Sequence, residues 1–101
     1  MSNETYIDLS KKPGSVTYEY LQVMPQMYAI QGDNTLTSKE KREKGLEIAI
    51  IALNNATKIS TDTYDRKREE LFNAGNINDL VRVMERVIIN GKHAKSNLRS
   101  N

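Results

Sequence analysis

Between Leu46 and Leu53 the chain is apolar at every position but one: Leu46, Ile48, Ala49, Ile50, Ile51, Ala52 and Leu53, interrupted by Glu47. Ahead of this run, Lys39 to Lys44 is charged throughout. Thr37-Ser-Lys-Glu40 has the spacing of a capping box, in which the Thr37 hydroxyl accepts from the Glu40 amide and the Glu40 carboxylate reaches back. This pattern predicts a central helix from Lys39 to about Lys58. Its apolar side chains wrap most of the circumference, so burial on nearly all sides is expected. Glu47, Asn54, Asn55 and Lys58 would leave a narrow polar stripe, and the charged first turns would protrude into solvent.

Two further helices follow. Ser60, Thr61 and Asp62 offer alternative N-caps to a helix over residues 64–74, which Gly75 would end as a C′ residue. Its apolar face is slim, holding Tyr64, Leu71 and Phe72. Asn76 or Asn78 then caps a third helix, in which Ile77, Leu80, Val81, Met84, Val87 and Ile88 recur at the spacing of one helical face. That face is expected to meet the central helix, with Val83 and Ile89 off it. Asn90-Gly91 is expected to stop the helix.

The N-terminal third reads in two ways. Thr5 to Leu9 and Val16 to Val23 alternate like strands about the turn Lys12-Pro13-Gly14-Ser15, which would make a short β-hairpin. Val16, Tyr20, Val23, Met24 and Met27 also lie at helical spacing behind a Ser15 cap, and Pro25 would kink or end that helix. The expected fold class is mainly α: a small bundle with three helices in residues 38–90, plus an N-terminal third that is a β-hairpin or a kinked helix after a short extended start.

A length of 101 residues fits one domain, over residues 1–91, with a polar, aperiodic and basic tail at 92–101. No residue is cysteine, so disulfides and thiolate metal sites are excluded, as suits the cytoplasm. The N-terminus lacks the basic and apolar parts of a signal peptide. The run Ile48 to Leu53 is far too short to span a bilayer, so no membrane partner is expected. Charge is unevenly spread around a net +2: Met1 to Ser38 sets Lys11 and Lys12 against Glu4, Asp8, Glu19 and Asp33. From Arg82 onward, Arg82, Arg86, Lys92, Lys95 and Arg99 face only Glu85. That basic end is the candidate nucleic-acid contact.

Catalysis has little to work with. The single histidine, His93, lies near the basic tail, and nucleophilic catalysis needs a nucleophile beside a base. The acids alternate with bases, as in Asp65, Lys67, Arg68 and Glu69, and read as solvated helix faces and not as metal ligands. The five glycines stand singly, at expected turns and caps, and form no phosphate-binding loop. A non-enzymatic chain without cofactor is the expectation. Tyrosines could anchor a protein partner. Tyr18 and Tyr20 would share one side of a strand, and Tyr64 and Arg66 would present a second contact on the middle helix.

The run Glu69-Glu-Leu-Phe-Asn-Ala-Gly75-Asn-Ile-Asn-Asp-Leu-Val-Arg-Val-Met-Glu-Arg-Val87 resembles the C-terminal helical domain of the CarD family, bacterial regulators that bind RNA polymerase and stabilise open promoters. It covers about a fifth of the chain; at ungapped spacing Thr61 stands where the family has its promoter-contacting tryptophan. The resemblance implies a helical hairpin and a polymerase partner. The function expected is a small regulatory or inhibitory binding protein, its Asn/Lys/Ile-rich composition suiting a phage, acting on RNA polymerase or a host defence complex. Alternatives are a nucleic-acid-binding module using the basic end, and an assembly protein that oligomerises through Val83, Ile89 and the N-terminal third.

Overall fold

The computed structural model describes residues 5–95. The N-terminal third resolves in favour of a short extended start followed by helix. Strand β1 (Tyr6–Ile7) leads through a single 3-10 turn at Leu9–Lys11 into helix α1 (Val16–Gln31). The Ser15 hydroxyl oxygen accepts from the Tyr18 amide at 3.1 Å and starts the helix. Just before it, Gly14 turns the chain at φ +92°, a left-handed conformation that side chains resist. Its carbonyl accepts from the Lys58 amide at 3.0 Å, and its own N–H donates to the Glu19 carboxylate. Pro25 neither ends the helix nor is buried. Pro25 leaves the Leu21 carbonyl without its helical donor, and the helix continues through that position.

Thr5 to Leu9 does not pair with Val16 to Val23. β1 instead pairs antiparallel with β2 (Ala94–Lys95), Tyr6 opposite Lys95 and Ile7 opposite Ala94. The expected tail is therefore structured from Lys92 to Lys95, while residues 96–101, Arg99 among them, lie outside the described residues.

Helix α2 (Ser38–Asn54) starts as its sequence demands: the Glu40 amide donates to the Thr37 hydroxyl at 3.1 Å, and the Thr37 amide donates to the Glu40 carboxylate at 2.9 Å. It ends at Asn54 and not at Lys58. Its burial differs from expectation. Gly45, Ala49, Ala52 and Leu53 are buried, whereas Leu46, Ile48 and Ile50 are half-buried and Ile51 is 54% exposed. The small residues let α1 and α4 come close at Gly45, whereas Leu46, Ile48 and Ile50 pack only at the edge of the core. Nor do its charged first turns all point into solvent. Lys41 Nζ donates to the Gln31 carbonyl at 2.8 Å, and Arg42 donates to the carbonyls of Ala74 and Phe72 at 2.8 and 2.9 Å. Two basic side chains thus close the C-terminal ends of two other helices, where unpaired carbonyls and the negative dipole end gather.

Helix α3 (Thr61–Asn73) is capped by Ser60, whose hydroxyl accepts from the Thr63 amide at 3.1 Å. Gly75 does not serve as a left-handed cap. Ala74 closes α3, and Gly14 is the positive-φ glycine among the described residues. Helix α4 (Ile77–Lys92) begins at Asn76, whose side-chain oxygen accepts from the Asp79 amide at 2.8 Å. It buries Ile77, Leu80, Val81, Met84 and Ile88 along one face, as the spacing predicts. Contrary to expectation it runs through Asn90-Gly91. Gly91 is buried in the helix, and a Cβ on it would overlap the Thr17 side chain of α1. Gly45 likewise lies inside α2 against Ile77, Leu80 and Met27, so two glycines serve close helix packing and not turns.

The core is organised around α1. Val16, Tyr20, Met24 and Met27 form its buried stripe, and it packs more extensively against α2 and α4 than those two pack against each other. The apolar face of α4 therefore meets α1 first, and α1 takes the central place expected of residues 39–58.

Candidate binding surfaces

Helix formation by residues 16–31 rearranges the tyrosine candidates. Two positions apart on a helix differ by about 200°, so Tyr18 and Tyr20 point to different sides. Tyr18 is half-buried, and Tyr20 is 0% exposed and unavailable as a contact. The Tyr20 hydroxyl is sealed in with no hydrogen-bond partner among the described residues. Burial, and then the negative charge of Glu70, push its pKa well above the ordinary phenol value, so it stays protonated. Tyr64, half-buried on α3, donates its hydroxyl to Asn54 Oδ1 at 2.5 Å and ties α3 to the end of α2. Arg66 is exposed and donates to the Thr63 hydroxyl at 3.3 Å. None of these four residues lines the hollows described below.

The basic residues are dispersed. Arg82 donates to Asp79 at 2.9 Å in an ion pair one helical turn long. Arg86 lines a groove of about 470 Å³ between α3 and α4, shared with Lys67, Glu70 and Asp79, so both signs of charge meet there. Lys92 lies about 120° around α4 from Arg86, in a hollow whose other end holds Glu85. Lys95 belongs to β2. His93 caps the C-terminal end of α4 and is exposed. Among the described residues, no three His, Asp or Glu side chains converge as a metal site requires, and no helix is long and apolar enough to cross a membrane.

Among the described residues, two hollows are lined by large exposed apolar side chains, Ile51 and Phe72 in one and Tyr28 and Ile89 in the other. The first lies on α2 and α3, is lined by Leu46, Ile50, Ile51 and Phe72 with Arg42, Glu43 and Glu47 at its edge, and holds about 380 Å³. Ile51 and Phe72 are exposed at 54% and 42%. The guanidinium of Arg42 is already committed to two carbonyls, and that of Arg68 stacks over the Phe72 ring at 4.7 Å. Glu43 and Glu47, one turn apart and both exposed, form no salt bridge among the described residues. The hollow is therefore apolar in its floor and negative along one rim.

The second lies between α1 and α4, holds about 350 Å³, and is lined by Leu21, Tyr28, Glu85, Ile88, Ile89 and Lys92. Ile89 is 62% exposed. Tyr28 donates its hydroxyl to the Glu85 carboxylate at 2.6 Å, and that hydrogen bond, with a smaller contribution from burial, raises the phenol pKa. Val83, which the sequence groups with Ile89, lines the charged α3/α4 groove and not this hollow.

Sequence reasoning missed Phe72 and Ile51 as surface residues, and of the five tyrosines it did not select Tyr28 as a contact. The available signal was the surplus of apolar positions around α2, more than its neighbours cover. Compared with known protein families, curated proteins and solved structures, the chain has no significant match in any of the three.

Proposed function

We propose that this chain is a small non-enzymatic binding protein that presents the α2/α3 hollow to a protein target, receiving an apolar helix or loop flanked by basic residues. What carries the reading is the pairing of exposed Ile51 and Phe72 over half-buried Leu46 and Ile50, with the unpaired Glu43 and Glu47 along one rim. Apolar anchors in a pocket with a charged edge are the arrangement that gives affinity and register to protein interfaces. Regulation or inhibition follows from occupying a target's surface, and the target classes are RNA polymerase, which the CarD resemblance of residues 69–87 implies, or a defence complex of a phage host. A nucleic-acid reading draws less support, because of the two arginines on one side of α4, Arg82 is paired with Asp79 and Arg86 shares its groove with Glu70 and Asp79, while Lys92 lies elsewhere around the helix.

The test is comparative capture from a bacterial lysate with wild type, Ile51→Asp and Phe72→Asp, each checked by circular dichroism. A protein retained by wild type and lost from both folded variants supports the reading. Equal retention by all three, or no retained protein, overturns it.

A further inference from the structure

The α1/α4 hollow has a symmetry of its own, independent of the α2/α3 reading. On α4, Glu85 and Lys92 are seven residues apart and so lie almost on one line along the helix. Ile88 and Ile89 stand midway between them, Ile88 buried toward α1 and Ile89 projecting. In an antiparallel pair of identical helices, the sum of two facing residue numbers is constant. A twofold axis between Ile88 and Ile89 therefore places Glu85 opposite Lys92 of the second copy, and Lys92 opposite Glu85 of the second copy. Both ion pairs form at once, with the two Ile89 side chains enclosed between them.

Helix α1 widens the same face. Leu21, Pro25 and Tyr28 recur at four and three residues, Pro25 and Tyr28 are exposed, and Leu21 and Tyr28 line the hollow with Ile89. The hydrogen bond from Tyr28 fixes the Glu85 carboxylate in place before any partner arrives. Neither Glu85 nor Lys92 is in a salt bridge among the described residues. A face that is apolar in the middle, acidic at one end and basic at the other complements itself under a twofold rotation, the commonest symmetry of homo-oligomers.

We propose that the α1/α4 face, centred on Ile89 and flanked by Glu85 and Lys92, is the interface of a homodimer of this chain with antiparallel α4 helices. Such a dimer leaves the two α2/α3 hollows free and makes the assembly bivalent.

Charge exchange tests it with sedimentation equilibrium on the full chain. Wild type should dimerise at high micromolar concentration, more weakly as salt rises. Glu85→Lys alone sets lysine against lysine, and Lys92→Glu alone sets glutamate against glutamate; each should dissociate the dimer by at least about tenfold. An equimolar mixture of the two variants regains opposite charges at both positions and should form a heterodimer, an outcome that misfolding of either variant could not produce. Ile89→Asp should be monomeric with unchanged circular dichroism. A monomeric wild type, self-association of Glu85→Lys at wild-type strength, or a mixture that stays monomeric would each overturn the proposal. None of these outcomes bears on capture through Ile51 and Phe72.

Discussion

Helices α2 and α4 are nearly equal in length, 17 and 16 residues, and handle their apolar side chains in opposite ways. In α4 the large aliphatics fall on one stripe and are buried there, from Ile77 to Ile88, leaving Ile89 as its one fully exposed aliphatic. In α2 they fall all round the helix, so the side facing α1 carries Gly45, Ala49, Ala52 and Leu53 while Leu46, Ile50 and Ile51 look elsewhere. A stripe tells where the core is. A helix apolar all round tells only that more than one surface is to be covered, and in this fold the chain itself covers one.

The comparison can be broken most directly by truncation. Met84→Ala in α4 removes a fully buried side chain and should cost about 2–5 kcal/mol in denaturant unfolding, a large part of the roughly 5–15 kcal/mol a domain commands. Ile51→Ala in α2 should change stability by less than about 0.5 kcal/mol, as expected at an exposed site. Equal losses would mean that the α2 surface is structural.

The two helical glycines sharpen the contrast. A methyl group at Gly91 meets the Thr17 side chain beside its Cβ, where nothing flexible can yield, so Gly91→Ala should cost about 1–3 kcal/mol by overpacking. At Gly45 the obstacles are the tips of Ile77, Leu80 and Met27. These can shift, and alanine is about 1 kcal/mol the better helix former, so Gly45→Ala should cost clearly less. Thermal melts of the pair decide it.

Smaller again is the start of α2. Thr37→Ala should lose about 1 kcal/mol of stability at neutral pH. The Glu40 carboxyl is held below its ordinary pKa, first by the Thr37 backbone N–H and then by the Thr37 side chain. Because its pKa is depressed in the folded state, this contribution is complete above the ordinary glutamate range and fades as the pH falls through that range and below it. Thr37→Ala keeps the backbone N–H, so the gap that should narrow in acid is that between wild type and Glu40→Ala, which unfolding curves at several pH values will measure.

The smallest change concerns the centre of the core. Tyr20→Phe discards a buried hydroxyl that has no partner among the described residues, so stability should be kept or rise by up to about 1 kcal/mol. A loss larger than that would reveal a partner for the hydroxyl.

Much of the architecture was legible along the chain because it rests on local chemistry. The capping box at Thr37 and Glu40, the cap at Asn76 and the three-and-four spacing from Ile77 to Ile88 involve residues within a turn or two of one another. The surfaces were less legible. The four residues chosen as partner contacts include the most deeply buried tyrosine, because Tyr20 reads as well on a strand as on a helix until the whole segment commits. Of the basic residues gathered in sequence, Arg82 and Arg86 share a side of α4, while the turn of α4 carries Lys92 elsewhere and the pairing of β2 with β1 holds Lys95.

By itself, then, the order of residues determined three helices after residue 37, the capping box that starts the first and the buried face of the last one, since side-chain spacing and hydrogen bonding to nearby backbone act over short distances. Only the tertiary structure decided that α1 is the hub, that Gly91 continues a helix against Thr17, that Arg42 closes α3, and which side of α2 stays open. Those outcomes depend on which elements meet, and contacts between residues 32 or 70 positions apart leave no mark in local periodicity.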